Sequence, residues 1–405
     1  MMRPVAEFGQ SGRMSLEPNA VDEITVPRCA LERLGSFQVM SFTSKTAAFV
    51  GIGSLRDLVS DSMAIDMGSA STVVYVRGRG VVIDEPSLVA VNTISGEITA
   101  IGREAQQMYG REARDVVVIA PLLNGVVADF ERTKEMLAHF VRSARSGISH
   151  FSRRALMSVM AGITQVEQRA LFNAAKEASI GRVCMIEGGV AAALGAGVKI
   201  DDGRATAIVD VGGATTNVSI VANGAIVHSG THTIGGWSIN EAIIDHVRRH
   251  RGLVIGAQTA ERLKLDLGSA TTPEDLGKEI QINGRDVFTG SPAAIEISAG
   301  EMYPVVHEVI RKIEELISAA LTEIPAEVAG DIYAQGLILT GGGALLMGLD
   351  EYLAGSTKLS VRIADEPRYA MVRGLEQMFD EPMAFRRVVR CGPNQFMEDR
   401  DLLLS

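Results

Sequence analysis

The residues best suited to chemistry are two aspartates, Asp66 and Asp210, each of which ends a short hydrophobic run and precedes a turn of small residues. The stretches that begin at these aspartates read DMGSASTVVYV and DVGGATTNVSI. Small side chains let the backbone approach a ligand closely, so that N–H groups and hydroxyls reach phosphate oxygens. A carboxylate beside those oxygens requires a divalent cation between them, most simply Mg²⁺ with its water shell. The two stretches therefore predict a site in which a triphosphate is bound from two sides.

The two stretches also look like copies of one structural unit. They match at five of eleven positions with an offset of 144 residues, and each reads as a strand, a tight turn and a second strand. A duplicated domain with two similar halves explains the match. Two unrelated hairpins that happen to use similar turn residues are the alternative.

Two glycine clusters, one at Gly341 to Gly343 and one at Gly235 and Gly236, stand between a strand and a helix. Glycines there leave room for a flat ring or a phosphate, although the second cluster is also consistent with helix capping. The three-glycine cluster has neither the GK[ST] of a Walker motif nor the GxGxxG of a dinucleotide site. On the helix TAERLKLDL, Glu261 and Lys264 share a face. Taken alone, that pair reads as a solvated ion pair.

Strands and helices alternate from residue 63 onward, which indicates an α/β fold. The net charge of −10 disfavours general nucleic-acid binding. The three cysteines lie far apart, which predicts neither a disulfide framework nor a structural zinc site and fits a reducing cytoplasm. No apolar run is long enough to span a bilayer. His246 and His250 lie one helical turn apart without a third ligand, and we interpret them as a polar surface.

Taken together, these stretches resemble the actin-like ATPase superfamily, and most closely the MreB family of bacterial actins. The resemblance runs from about residue 49 to 379 and is carried, in order, by IDMGSASTVVYVRGRGVVIDEPSLVAV, PLLNGVVADF, ITQVEQRAL, AAALGAG, VDVGGATT, TAERLK and LTGGGALLMGLD. It implies an α/β actin-like fold of two domains, each with a duplicated RNase-H-like core, around a cleft for ATP and Mg²⁺.

Composition and periodicity at the two ends of the chain, together with the resemblance for the part between them, predict a domain organisation. Residues 1–48 are expected to form a largely disordered N-terminal extension and 49–62 an amphipathic leader. The first actin-like domain is expected to comprise 63–198 and 346–382, and the second 199–345. Residues 383–405 are expected to form a tail.

The family's nucleotide contacts carry over residue by residue. The first hairpin and the second hairpin match its phosphate loops, the helix TAERLKLDL matches its ribose and adenine contacts, and the three-glycine cluster matches its adenosine loop. Asp66 and Asp210 would hold Mg²⁺ through water. The expected contacts are Asp66, Gly68, Ser69, Ala70, Ser71, Asp210, Gly212, Gly213, Ala214, Thr215, Glu261, Arg262, Lys264, Gly342, Gly343, Ala344 and Leu345.

The chain departs from the family at a position important for catalysis. The family usually has Ile-Glu-Glu-Pro before AAALGAG, and its second Glu helps to position the attacking water. Here the third position of that motif is Gly188, so the carboxylate is missing. Glu187 and Thr215 remain as catalytic candidates. Losing a group that positions water lowers turnover by orders of magnitude, so ATP binding is expected and hydrolysis is left open.

Members of the family form filaments under the inner membrane and organise cell-wall synthesis for rod shape. The expected partners are therefore further copies of this chain, the membrane surface and the cell-wall elongation machinery, with no nucleic acid. Two segments are candidates for contact with lipid, although packing within the fold is the alternative for both. They are the leader with Phe49, Ile52 and Leu55, and the segment with Ile148 and Phe151 among Arg142, Arg145, Arg153 and Arg154.

Two other functions compete with a shape-determining filament. A catalytically weakened paralogue would bind ATP and act as a scaffold or modulator of other filaments. A small-molecule kinase of the same superfamily would need an acid in the cleft that acts as a base on a substrate hydroxyl, and a substrate pocket. The sequence shows neither signature.

Overall fold

A computed structural model describes residues 62–144, 154–199 and 202–380, together with Phe385 and Val389. The predictions for the N-terminal extension, for Phe49, Ile52 and Leu55 of the leader, and for Ile148 and Phe151 fall outside these residues, and they stay predictions.

The elements alternate along the chain as the sequence predicts. The strands are β1 (Ser62–Met67), β2 (Ser71–Val76), β3 (Gly80–Pro86), β4 (Val89–Asn92), β5 (Ile98–Ile101), β6 (Val116–Ile119), β7 (Leu122–Leu123), β8 (Val126–Val127), β9 (Arg154–Val159), β10 (Arg182–Glu187), β11 (Thr206–Val211), β12 (Thr216–Ala222), β13 (Ala225–His232), β14 (Leu253–Val254), β15 (Glu279–Asp286), β16 (Pro292–Ser298), β17 (Leu337–Thr340) and β18 (Val361–Ile363). The helices are α1 (Arg103–Met108), α2 (Phe130–Ser143), α3 (Gln165–Glu177), α4 (Gly188–Gly195), α5 (Gly236–Arg251), α6 (Ala257–Leu267), α7 (Ala299–Thr322), α8 (Ala326–Gln335), α9 (Leu349–Thr357) and α10 (Ala370–Asp380).

Local sequence signals determine where several helices begin. The Asp129 side chain accepts a hydrogen bond from the backbone N–H of Arg132 at the start of α2. Thr164 and Glu167 form a reciprocal capping box at the start of α3. Each cap supplies a partner to a backbone N–H that has none within the helix.

Two five-stranded sheets share one topology, which confirms the predicted duplication. The first has the order β10-β9-β1-β2-β3 and the second the order β18-β17-β11-β12-β13. In each sheet, three antiparallel strands continue into two parallel ones. We call the first sheet with its packed elements the first half, and the second sheet with its packed elements the second half.

Each half has its own hydrophobic core, and a third core joins them. In the first half, Met136 and Phe140 of α2 are buried against Ile65 of β1. In the second, α5, α6 and α7 cover β11. The joining core buries α4 and α10 between both sheets.

A smaller sheet accompanies each half. The sheet β5-β4-β6 packs with α1 through Ala90, Ala100 and Ala105. The sheet β14-β15-β16 contributes Ile282 and Ile297 to the core of the second half.

Helices α4 and α10 cross in backbone contact. A β-carbon on Gly195 would lie 1.8 Å from the carbonyl oxygen of Ala370, and one on Gly374 would lie 1.8 Å from that of Ala191. Glycine is therefore required at both positions, since any side chain would force the two helices apart.

The predicted boundary at residue 346 is too early. Strand β18 pairs in parallel with β17 of the second half, and Leu349 and Leu353 of α9 belong to the second core. The parallel pair needs α9 as its crossover on the same sheet. The chain returns to the first half only with α10, whose Val372 and Leu375 share a core with Ala64 of β1.

Cys184 on β10 is buried. The other two cysteines, Cys29 and Cys391, lie outside the described residues, so the prediction drawn from the cysteine spacing stays a prediction.

Candidate functional site

The two predicted hairpins form, and their turns are closed in the same way. The N–H of Gly68 donates to the carbonyl oxygen of Ser71 over 3.0 Å, and the N–H of Gly212 donates to that of Thr215 over 2.8 Å. Asp66 and Asp210 occupy equivalent positions on β1 and β11. The repeat in the sequence is thus a repeat in space.

The turns face a single cleft of about 1290 Å³ between the halves. It is lined by fifteen of the seventeen predicted nucleotide contacts, drawn from both hairpins, α6 and the three-glycine cluster. They are Asp66, Gly68, Ser69, Ala70, Ser71, Asp210, Gly212, Gly213, Ala214, Thr215, Glu261, Lys264, Gly342, Gly343 and Leu345.

Three predicted site residues lie elsewhere. Ala344 is fully buried in the second core. The guanidinium of Arg262 donates to the carbonyl oxygen of Gln281 over 3.0 Å on an exposed surface. Glu187 ends β10 and is not among the residues that line the cleft. Helical periodicity explains Arg262, since Glu261 and Lys264 face the cleft from one side of α6 and Arg262 falls on another.

Each aspartate is bonded to a hydroxyl on the neighbouring parallel strand. The Ser158 hydroxyl on β9 donates to Asp66 Oδ1 over 2.5 Å, and the Thr340 hydroxyl on β17 donates to Asp210 Oδ1 over 3.1 Å. Sequence reasoning missed both hydroxyls. Ser158 is the next-to-last residue of β9, and Thr340 is the last residue of β17. A position at the end of a buried strand is the same signal that identified the two aspartates.

The two aspartates sit in an environment that disfavours negative charge. Burial raises the pKa of Asp66, although the hydrogen bond from Ser158 opposes the shift. Burial and the nearby charge of Asp66 raise the pKa of Asp210 to about 6, against hydrogen bonds from Thr340 and Asn217. A bound cation would relieve both effects.

The donor set fits Mg²⁺ bound largely through water and phosphate. Two buried carboxylates supply hard oxygen ligands, as Mg²⁺ prefers. Across the part of the chain that the structure describes, no three His, Cys, Asp or Glu side chains form a metal-binding group. The described residues therefore do not form a metal site made of protein ligands alone. His246 instead pairs with Glu301 over 3.0 Å.

Hydrogen bonds hold the side chains of Glu261 and Lys264 in the wall of the cleft. Lys264 Nζ and Asn240 Nδ2 each donate to Glu261 Oε2 over 2.7 Å, and Lys264 Nζ also lies 3.3 Å from the carbonyl oxygen of Gly236. The Lys264 side chain is only 12% exposed. The Glu261 side chain is 43% exposed, so the pair is solvated on one side only, while partners on α5 hold it in place.

Both glycine clusters support the second hairpin. A β-carbon on Gly343 would lie 2.4 Å from Val211 Cγ1, so the three-glycine cluster lies directly on the end of β11. At the other cluster, the N–H of Gly236 and that of Trp237 donate to the carbonyl oxygens of Gly212 and Gly213 over 3.0 and 2.7 Å. These contacts hold the turn between two helix starts, the first of which is a 3-10 turn over Gly342–Leu345.

Met371 lies beside Gly188, the position that lacks the expected carboxylate. Gly188 lines the cleft as the first residue of α4. A β-carbon there would lie 3.3 Å from Met371 Cε and 3.4 Å from its Sδ. The thioether therefore takes up space into which a longer side chain would extend.

A protein built as two copies of one sheet topology, with the aspartate hairpin of each copy facing a shared cleft, has the actin-like fold. A family model for the MreB/Mbl protein matches residues 60–387. The chain belongs to the MreB/Mbl family.

Individual relatives agree with this assignment. The cell shape-determining protein MreB of Escherichia coli K12 is 39% identical over 324 residues, which cover 79% of this chain and 93% of that protein. The cell shape-determining protein Mbl of Bacillus subtilis 168 is 36% identical over 318 residues, or 78% of this chain and 95% of that protein.

Solved structures show the same fold. The crystal structure of MreB5 of Spiroplasma citri bound to AMPPNP superposes with a TM-score of 0.76 at 32% identity, covering 80% of this chain and 97% of that one. MamK in a double helical filament superposes with a TM-score of 0.67 at 21% identity, covering 79% and 99%, which demonstrates the shared fold alone.

Proposed function

We propose that this chain binds ATP with Mg²⁺ in the cleft and assembles into filaments that help to determine cell shape. The observation that carries the proposal is the pair of matching aspartate hairpins that face one cleft from opposite halves. Membership of a family whose curated relatives are cell shape-determining proteins supports it. The structure of the S. citri relative with AMPPNP supports nucleotide as the ligand.

Different residues of the cleft would contact different parts of the nucleotide. Backbone N–H groups and hydroxyls of the two turns would bind the phosphates. Asp66 and Asp210 would hold Mg²⁺ through water and so offset the phosphate charge. Glu261 and Lys264 would contact the ribose and the base, and the three-glycine cluster leaves room for a flat ring.

We propose further that hydrolysis is slow. No carboxylate projects from position 188, and Met371 makes the neighbouring wall apolar. Thr215 is the polar catalytic candidate that lines the cleft. Binding needs only the turns and aspartates, whereas fast hydrolysis also needs a group that positions water.

We propose further that the chain lies in the cytoplasm, self-associates and contacts the inner face of the cell membrane. Its partner there would be the cell-wall elongation machinery. No helix among the described residues is long and apolar enough to cross a bilayer.

Sedimentation with nucleotide and lipid tests the proposal. The full chain is incubated with AMPPNP and Mg²⁺, with or without anionic liposomes, and pelleted. We expect nucleotide-dependent pelleting that increases with liposomes and is lost in Asp210→Ala. A protein that binds no nucleotide, or stays in the supernatant under every condition, would refute the filament function.

A further inference from the structure

A glutamine bridges the mouth of the cleft. Gln258 is the second residue of α6, and its Nε2 donates to the carbonyl oxygen of Gln106 over 2.8 Å and to that of Tyr109 over 3.2 Å. Gln106 lies on α1 and Tyr109 directly follows it. All three residues line the cleft, so one side chain connects the small sheet of the first half with the second half.

The chemistry of the contact matches two donors to two acceptors. The last carbonyls of a helix have no N–H partner within it, and α1 has no basic residue in its last turn. A primary amide carries two N–H groups in one plane. Gln258 thus adds, from across the cleft, a side-chain donor to the carbonyl oxygen of Tyr109 and to that of Gln106, which also accepts the N–H of Tyr109 over 3.2 Å.

The same helix carries the proposed nucleotide contacts. Gln258, Glu261 and Lys264 are spaced by three residues and share one face of α6. Ala260, Leu263 and Leu267 anchor the opposite face in the second core, while Asn240 and Gly236 fix Glu261 and Lys264. A ligand that binds this face therefore acts on the element that presents Gln258.

We propose that Gln258 is a positioning residue that keeps the mouth of the cleft closed over bound nucleotide and so slows its release. The inference rests on the proposed nucleotide binding. It requires the N–H donors of residue 258 and not merely the bulk of its side chain, because the acceptors are the backbone carbonyls of Gln106 in α1 and of Tyr109 directly after it. The α1 end stays where packing of Ala105 holds it, and only the link across the mouth is lost when the donors are removed.

Release kinetics in the full chain test the donor requirement. The variants are Gln258→Met, which has a similar length without N–H groups, and Gln258→Lys, which keeps N–H donors. Gln335→Met, at an exposed glutamine that ends α8, is the matched control. Each protein is loaded with a fluorescent ADP analogue and Mg²⁺ and chased with unlabelled ADP.

We expect release from Gln258→Met to be about three- to tenfold faster than from the unmodified chain, as for the loss of one or two partly exposed hydrogen bonds. Gln258→Lys should recover most of the difference, and Gln335→Met should release at the original rate. Thermal unfolding without nucleotide should be nearly unchanged in all three variants, which separates positioning from a general loss of stability.

Two results would overturn the inference while leaving nucleotide binding intact. One is equal release from Gln258→Met and the unmodified chain, and the other is release from Gln258→Lys as fast as from Gln258→Met. If the unmodified chain binds no analogue at all, the proposed function fails and the inference fails with it.

Discussion

Ala70 of the first hairpin lies against Gly213 of the second, so closely that a β-carbon at position 213 would be 2.3 Å from the Ala70 β-carbon. The turns of the two halves therefore meet at one point of the cleft. This pair sets how near the two turns, and with them the proposed phosphate donors, come to each other, because packed atoms at the contact cannot interpenetrate.

The contact predicts a compensating pair of substitutions. Gly213→Ala should push the turns apart and weaken binding of an ATP analogue by about tenfold or more, since it overpacks the contact. Ala70→Gly alone should have a small effect. The double variant Ala70→Gly/Gly213→Ala should recover most of the affinity, because the other neighbours of a β-carbon at 213 lie 3.6 Å away. Titration calorimetry with AMPPNP and Mg²⁺ measures each affinity, and an unrecovered double variant would show that the contact does not set the spacing.

Stability without nucleotide should rise on mild acidification because of Asp210. Its pKa is raised from 3.8 to about 6 in the folded chain, so the folded state takes up a proton at higher pH than the unfolded state. The resulting stabilisation is complete below the unfolded pKa and is lost as the pH rises through about 6. Between pH 7 and pH 5 we expect a gain of about 1 kcal/mol in the free energy of unfolding relative to the change in Asp210→Asn.

Urea unfolding of both proteins at the two pH values checks this, and equal changes would contradict it. Binding of Mg²⁺ and AMPPNP should respond in the opposite direction. In the proposed site the cation binds to the charged carboxylates, so protonation of Asp210 should compete with binding as the pH falls through about 6.

Restoring a carboxylate at position 188 should raise hydrolysis only when space is made for it. Glu at the start of α4 suits the positive end of a helix, but Met371 lies beside that position. We expect Gly188→Glu/Met371→Ala to release phosphate at least about tenfold faster than the unmodified chain, in view of the usual contribution of such groups. Gly188→Glu alone should gain less, and Met371→Ala alone should gain nothing. Steady-state phosphate release decides between these outcomes, and a double variant no faster than Met371→Ala would refute the role assigned to position 188.

A β-carbon on Gly195, where α4 crosses α10, should destabilise the fold. Gly195→Ala places a methyl group against the Ala370 carbonyl and should lower the free energy of unfolding by about 1–3 kcal/mol or more. Gly355→Ala in α9 is the matched control, since a β-carbon there meets nothing within 4 Å. It should be neutral or stabilising by up to about 1 kcal/mol. Chemical unfolding of both variants tests this, and equal stabilities would show that the crossing relaxes without cost.

Much of the fold and part of the site could be predicted from the sequence, because the determining signals are local. The stretches after Asp66 and Asp210 carry their own turn residues, so each hairpin follows from about ten consecutive residues. Their similarity then predicts the duplication that the sheet order confirms. The face shared by Glu261 and Lys264 likewise follows from helical periodicity alone.

Other features depend on residues that are distant in the sequence. Ser158 reaches Asp66 across 92 positions and Thr340 reaches Asp210 across 130, since parallel strands bring remote segments side by side. Gln258 reaches Gln106 across 152 positions. Pairing of β18 with β17, which moves the boundary beyond residue 346, has the same origin.

The sequence by itself thus determined the hairpins, their repetition and the aspartates that each presents, because turn chemistry and periodicity act over a few residues. Only the tertiary structure decided which hydroxyls bond those aspartates, how closely Ala70 and Gly213 meet, that Met371 lies beside Gly188, and that Gln258 spans the mouth of the cleft. Those relationships are distances between segments whose separation in space is set by the packing of whole sheets and helices.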